Sequence, residues 1–415
     1  MTTTSWQQSE DLGLKSRALA VIPGGMFGHQ STARLPGSYP QFFERADGCR
    51  VWDCDGNEYL DFLCSYGPIV LGHRHPAVER AVAEQQAKGD CMTGPSARLV
   101  ELAELLVDTV VHADWALFEK NGTDATTLCV SLARAETGRR KILVAKGAYH
   151  GAAPWCTPSK AGVTPEDRAN LLTYVYNDLP SVEAAAGEAG DDLAGVVVSA
   201  FKHDVMVDQE LPDPDFAMGV RRLCDRTGAA LILDDVRAGF RLHLGGSWET
   251  VGVQPDLSAW SKALANGYPL AAVLGTDRFR DAATKVFATG SFWCGSVAMA
   301  AAIATITELR AAEAIDRMES AGSRFRAGLA AQADAHGFTI RQTGPPQMPL
   351  VLFADDPHQR LGARFSEEAL RRGVYLHPWH NMFLSLAHSD EDIDAALART
   401  DEAFAAVARS PDRAG

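Results

Sequence analysis

The sequence has no apolar run long enough to cross a bilayer. The longest runs, such as Val297–Ala304, fall far short of the roughly 20 residues that a spanning helix needs. It also has no C-x-x-C pair: eight cysteines, at 49, 54, 64, 91, 129, 156, 224 and 294, are scattered along the chain. That pattern fits free thiols in a reducing compartment and argues against a disulfide framework or a zinc site. Two short histidine groups, His73-Arg74-His75 and His377-Pro378-Trp379-His380, have no nearby Cys or Glu-x-x-His partners. They are expected to bond to backbone or line a pocket, and no metal site is expected. Basic charge is in deficit: Asp plus Glu number 53 against 39 Lys plus Arg, a formal net charge of −14. Such a surface repels phosphate backbones and anionic lipid, so neither a nucleic acid nor a membrane is an expected partner. Residues 1–9 show no basic stretch leading into an apolar one. No signal peptide is expected, and the expected location is cytoplasmic. The chain contains no G-x-G-x-x-G, no G-x-x-x-x-G-K-[ST] and no G-x-S-x-G, so a dinucleotide- or nucleotide-binding module and a serine hydrolase lack their signatures.

What is present describes a large globular protein. At 415 residues, with 46% apolar and 22% charged residues, the chain can bury a sizeable core and is long enough for two domains. Strand-like and helix-like segments alternate through the middle, the signature of an α/β fold with a mainly parallel sheet between helices. Expected strands are Trp115–Phe118, Lys141–Ala145, Leu193–Phe201, Ala229–Leu233, Leu257–Trp260 and Leu270–Leu274. Expected helices cover Asp124–Thr137 and the region around Phe216–Thr227. The flanks differ. Phe42–Leu63 alternates with period two around Asp55-Gly56 and reads as an antiparallel hairpin. Beyond about Thr307 a long amphipathic helix, short strands at Pro349–Phe353 and Val374–His377, and a last helix from Asp390 are expected, with a frayed tail over Arg409–Gly415. The expected division is an N-terminal segment and part of a small α+β domain over 1–65, a large domain over 66–308, and the rest of the small domain over 309–415.

Four residue groups at predicted strand ends match the needs of pyridoxal phosphate (PLP) chemistry: an amine, a carboxylate for the pyridine nitrogen, amides for a phosphate and an aromatic ring to stack. Lys262 closes Leu257–Trp260 and opens a glycine-bearing loop, where poor solvation would lower its pKa; an ordinary snorkelling lysine is the alternative. Asp234 follows five apolar residues, so it is expected to be buried and to need a cationic partner, unless it is a helix N-cap or pairs with a nearby arginine. Asp235, facing the opposite way, suits that structural part better. Gly122 and Thr123 precede a helix and could wrap an anion with backbone amides, although Asn-Gly-Thr-Asp is also a plain capping sequence. Tyr149, in Ala-Tyr-His-Gly after a strand, could stack on a flat cofactor or simply close the core edge.

These residues sit in blocks that resemble the class III, fold-type I PLP aminotransferases, in particular their glutamate-1-semialdehyde aminomutase-like branch. The blocks include Ile22–Gly25 (IPGG), Val51–Phe62 (VWDCDGNEYLDF), Leu71–Pro76 (LGHRHP), Asn121–Thr126 (NGTDAT), Ala148–Gly151 (AYHG), Leu231–Arg241 (LILDDVRAGFR), Ser261–Gly275 and Thr289–Ala302. The D-x-V-x-x-G-F-R block with its spacing to Lys262 is the most specific. The stretches MTGPS, HADWA, KGAYHGAAPW, QTGP and HPWHNMF look like those of an aminotransferase that deaminates a long-chain amino alcohol. The resemblance implies that Lys262 is the Schiff-base lysine, that Asp234 partners the pyridine nitrogen, and that Tyr149 stacks on the ring with Val236 behind it. It further implies that Gly122 and Thr123 take the phosphate. Ser291 stands where the family usually has a threonine that reaches the phosphate of the neighbouring subunit, which implies a homodimer with shared active sites. Asn121, Ser199-Ala200, Asp235, Ser291 and Cys294-Gly295-Ser296 depart from the usual family pattern and loosen what can be inferred about substrate. The activity implied is transfer of an amino group from a primary amine, amino alcohol or non-α-amino acid to a keto acid such as pyruvate, with a 2,1-aminomutase as the alternative and a racemase as a third possibility. His29, Gln30, Arg34, Arg237 and Trp379 are candidates to shape the substrate site, and Arg241 is expected in a structural ion pair.

Overall fold

A computed structural model of the chain describes residues 6–410. The N-terminal alternating segment forms three strands, β1 (Phe43–Asp47), β2 (Arg50–Asp53) and β3 (Glu58–Asp61). This is an antiparallel meander with two turns, where the sequence suggested a single hairpin. Gly48, at φ +55°, makes the first turn, and Gly56, at φ +83°, lies in the second, a backbone region that glycine enters without steric cost.

The central strands are β4 (Trp115–Glu119), β5 (Lys141–Ala145), β6 (Leu171–Tyr174), β7 (Leu193–Ser199), β8 (Ala230–Asp234), β9 (Leu257–Trp260) and β10 (Ala271–Gly275). They form one sheet in the order β4-β10-β9-β8-β7-β5-β6. Only β10 runs against its neighbours. Strands β7 to β10 are buried along their whole length, as expected of strands covered by helices on both faces. That is why they read as continuous apolar runs and not as alternating ones.

The helices between strands start and stop on local chemistry. The Asn121 side chain accepts from the Asp124 amide at 3.1 Å and caps the helix Gly122–Thr137, which ends at Gly138 with φ +67°. Asp213 caps Pro214–Thr227 in the same way, with proline at the first helical position. The cap moves the first of these helices two residues earlier than apolar periodicity suggests.

Toward the C-terminus the expected single long helix is two, Ser296–Ala311 and Ala314–Ala335, broken where Glu313 takes φ +48°. Strands β11 (Ile340–Thr343) and β12 (Leu350–Phe353) pair with each other, and β13 (Val374–Tyr375) pairs parallel with β3. The small sheet is thus closed by residues from both flanks of the chain. The last helix is Asp390–Ala408, entered through a capping box on Ser389 and Asp392. Of the tail expected to fray, residues 411–415 lie outside the described residues, as do residues 1–5 of the N-terminal stretch. Among the described residues no helix is long and apolar enough to cross a membrane, and no group of three or more His, Cys, Asp or Glu could hold a metal ion.

Candidate active site

Because β4, β5, β7, β8 and β9 run in one direction, the loops that follow them leave from one edge of the sheet, where open α/β sheets gather ligand-binding residues. Asp234 is the last residue of β8 and 8% exposed. Its Oδ2 lies 2.7 Å from Nδ1 of His150, in the loop after β5, and its Oδ1 accepts from the Val236 amide at 3.1 Å. An ionised carboxylate can only accept, so Nδ1 carries the proton of that bond. His150 is itself buried: its carbonyl accepts from Thr126 Oγ1 at 2.7 Å and its ring stacks on Trp155 at 6.3 Å. Its Nε2 is buried with no partner among the described residues. The sequence reading passed over His150 in favour of the adjacent Tyr149. The signal was there, a histidine in the same strand-end loop, but its partner is 84 residues away.

Lys262 lies two residues past the end of β9, after Ser261, and takes φ +48°, a left-handed conformation that non-glycine residues adopt at a cost. Asn266 holds the loop in place, accepting from the amides of Val70 and Leu71 at 3.0 and 2.9 Å and donating to the Gly72 carbonyl at 2.9 Å. The Lys262 amine is pushed down to about 7, mainly by burial, with the Arg237 charge acting in the same direction and Asp234 opposing it. A large fraction is therefore neutral near pH 7, the form that acts as nucleophile and base.

Gly122 and Thr123 are the first two residues of their helix, where amides have no intrahelical acceptor. A Cβ on Gly122 would stand 2.7 Å from Val236 Cγ1, so the helix start and the residue after the Asp pair touch through the missing side chain. Gly151, at φ +124°, approaches Thr123 equally closely, and Thr123 Oγ1 accepts from the Ala152 amide at 3.0 Å. Tyr149 is 43% exposed, and the charges of Arg237 and Asp234 both act on its phenol, which burial pushes up. Lys262, Asp234, Tyr149, Gly122, Thr123 and Val236 thus belong to one edge of the sheet. Ser291 does not join them within the chain. It lies in an exposed turn and makes no hydrogen bond among the described residues.

The two arginines of Leu231–Arg241 behave differently. Arg241 is fully buried and donates to the carbonyls of Gly67 (2.8 Å), Ile69 (2.7 Å) and Leu384. The ion pair expected for it is absent among the described residues; three carbonyls accept from its terminal nitrogens instead, and its buried Nε has no partner among those residues. Asp235, expected as a capping or ion-paired carboxylate, accepts from the Ser247 amide at 2.9 Å, and burial raises its pKa to about 7. Arg237, by contrast, donates to one neutral group, Asn381 Oδ1, at 2.6 Å. Its positive charge helps to lower the pKa of His29, His203 and His380, each of which burial already holds neutral. Tyr66 meets His29, His377 and His380 edge-on, with centroids 4.7, 6.1 and 5.3 Å away, and Trp379 meets His377 at 5.4 Å. Of the substrate-site candidates, the structure brings His29, Arg237 and Trp379 to this wall. It leaves Arg34 on the exposed surface, and Gln30 is exposed with its carbonyl bonded to Gln41. Tyr66 and Asn381 were not anticipated.

A neutral amine, a carboxylate held at a strand end, free helix-terminal amides beside a side-chain-free glycine and an orphaned imidazole nitrogen match the polar edges of a flat aromatic aldehyde phosphate. The sequence profile of the class III aminotransferases matches residues 33–404. The chain is 51% identical over 396 residues to an aminopentol aminotransferase of Sphingopyxis macrogoltabida, covering 95% of this chain and 94% of that protein. It is 34% identical to a glutamate-1-semialdehyde 2,1-aminomutase of Brevibacillus brevis, covering 92% and 95%. A structure of the FumI protein of Sphingopyxis sp. MTA144 with PLP superposes with a TM-score of 0.96 at 50% identity, over 98% of this chain and 97% of that one. The chain belongs to the class III aminotransferases and is a PLP-dependent transaminase of fold type I.

Proposed function

We propose that the enzyme takes the amino group from a primary amine or amino alcohol and passes it to a keto acid such as pyruvate, with Lys262 as the residue that carries the cofactor. When bound, PLP supplies an aldehyde that condenses with amines and a ring that withdraws electrons from the substrate carbon. In this reading Asp234, oriented by His150 and the Val236 amide, holds a proton at the pyridine nitrogen. The amides of Gly122 and Thr123 receive the phosphate, Tyr149 covers one face of the ring and Val236 supports the other. Lys262 would move a proton to and from the substrate carbon, a task that suits an amine with its pKa near 7.

The observation that carries the substrate class is the wall of neutral imidazoles with Tyr66. A neutral imidazole both donates and accepts, as a hydroxyl requires. The relative with half its residues identical is named for an amino alcohol donor, which supports the same class.

We further propose a cytoplasmic homodimer whose Ser291 reaches the phosphate of the neighbouring subunit, with the large domain over 66–308 and the small one built from 1–65 and 309–415. Phe287 and Phe292, 90% and 67% exposed beside Ser291, supply apolar surface that a second copy would cover.

The test is alanine formation from pyruvate and a panel of amines. Alanine that depends on both an amino alcohol and pyruvate, and disappears in Lys262→Ala, is the expected result. Rearrangement of an amino aldehyde with no acceptor added would make the protein an aminomutase.

A further inference from the structure

A transaminase site must hold two unlike molecules in turn, and under the function proposed above only one of them, the keto acid, carries a fixed negative charge. The two arginines of Leu231–Arg241 differ on this point. Arg241 is fully buried and spends both terminal nitrogens on three backbone carbonyls, so those donors are closed to a ligand. Arg237 has five N–H donors, and the structure gives it one partner, a neutral amide, with no ion pair among the described residues. Arg237 is only partly buried and none of its nitrogens is a buried atom without a partner, so its remaining donors stay open to an incoming ligand.

The Arg237 charge acts on Lys262, His29, His203 and His380, and the charges of Asp234, Tyr149 and Asp204 act on Arg237. Asp234 is already engaged by His150 and the Val236 amide. Asn381 is aimed as well as buried: it is 3% exposed, and its Nδ2 donates to the Met382 carbonyl at 2.8 Å, which turns Oδ1 toward the guanidinium. The amide therefore fixes one arm of Arg237 and leaves the rest of the planar fork free, the geometry that suits a carboxylate received through two parallel hydrogen bonds.

We propose that Arg237, aimed by Asn381, is the subsite for the carboxylate of the keto acid acceptor. The neutral histidines beside it serve the uncharged amino alcohol, so that both substrates present their reacting carbon to Lys262 from one pocket. The proposal rests on the transaminase function above.

The experiment compares pyruvate with propanal, a three-carbon carbonyl compound that has no carboxylate, in the holoenzyme and in Arg237→Met, Arg237→Lys and Asn381→Asp. Asn381→Asp leaves the arginine in place but gives it a carboxylate of its own. The expected result is a fall of about 30-fold or more in the kcat/KM preference for pyruvate over propanal in Arg237→Met and Asn381→Asp. A smaller fall is expected in Arg237→Lys, which keeps the charge and loses the fork. Calorimetric binding of propionate, which has the carboxylate and no reacting carbonyl, should weaken in the same order. A preference that stays within about twofold of the parent's, or propionate affinity equal across the set, overturns the assignment. Propionate binding that follows the order while the parent forms no alanine with any amine would instead overturn the transaminase function and leave the anion site standing.

Discussion

Nδ1 of His150 lies 2.7 Å from Oδ2 of Asp234, joining the loop after β5 to the end of β8. Both side chains are buried, so the pair orients a carboxylate that would otherwise be free to rotate. Replacing His150 with Phe keeps a ring against Trp155 and removes the bond. The expected effect is a 10- to 100-fold weaker hold on PLP, from a charge-assisted hydrogen bond worth about 1.5–3 kcal/mol. The measurement is equilibrium titration of apoprotein with PLP. An unchanged dissociation constant would mean that Asp234 needs no such support.

Gly122 and Val236 meet where a side chain is missing. Gly122→Ala forces a methyl to 2.7 Å from Val236 Cγ1 and should cost about 1–3 kcal/mol in stability while weakening cofactor binding. Val236→Ala removes the obstructing methyls. The double variant should recover most of the loss, a coupling readable by thermal melts of all four proteins. Additive losses would show that the helix start is strained for some other reason.

The Lys262 amine, with its pKa at about 7, sets a pH dependence on the apoprotein. Its neutral fraction rises with pH through about 7, well below the range of an ordinary lysine. Reductive trapping of a small aldehyde at Lys262, followed by mass spectrometry, should therefore rise with a midpoint near that value. In Arg237→Met the midpoint should move upward, because a charge that disfavours the ammonium form is gone. A midpoint near 10 in the parent protein would contradict the burial described for this side chain.

Asp235 offers a stability test with the opposite sign. Its folded pKa, about 7, exceeds the ordinary carboxyl value, so the fold binds a proton that the unfolded chain releases. Stability from this group is complete below the unfolded pKa and declines as pH rises to about 7. Asp235→Asn carries no such penalty and can still accept from the Ser247 amide. Measured from about pH 5 to about pH 8, the variant should gain on the parent by up to about 3 kcal/mol in unfolding free energy. Parallel curves would place the Asp235 proton elsewhere.

The positions of Lys262 and Asp234 could be read from the chain because the cues are local: each lies at or just past the end of a short strand-like run, and a parallel sheet puts such ends on one edge. The helix start at Gly122 was displaced by two residues because apolar periodicity does not register a cap, whereas the Asn121 side chain does. Arg241 was misjudged for a related reason. A charged residue suggests an ionic partner, but its three acceptors are carbonyls on loops 143 to 174 residues away, which carry no side-chain signature.

By itself the sequence determined the α/β class, the strand ends that hold the amine and the carboxylate, and the lack of metal-ligand and dinucleotide motifs, since these follow from local periodicity and residue chemistry. Only the tertiary structure decided that His150 braces Asp234, that Asn381 aims Arg237 across 144 residues, and that the Lys262 amine sits near neutrality. Those outcomes depend on which distant groups share a water-poor space, and burial and charge act through distance in the fold, whatever the separation along the chain.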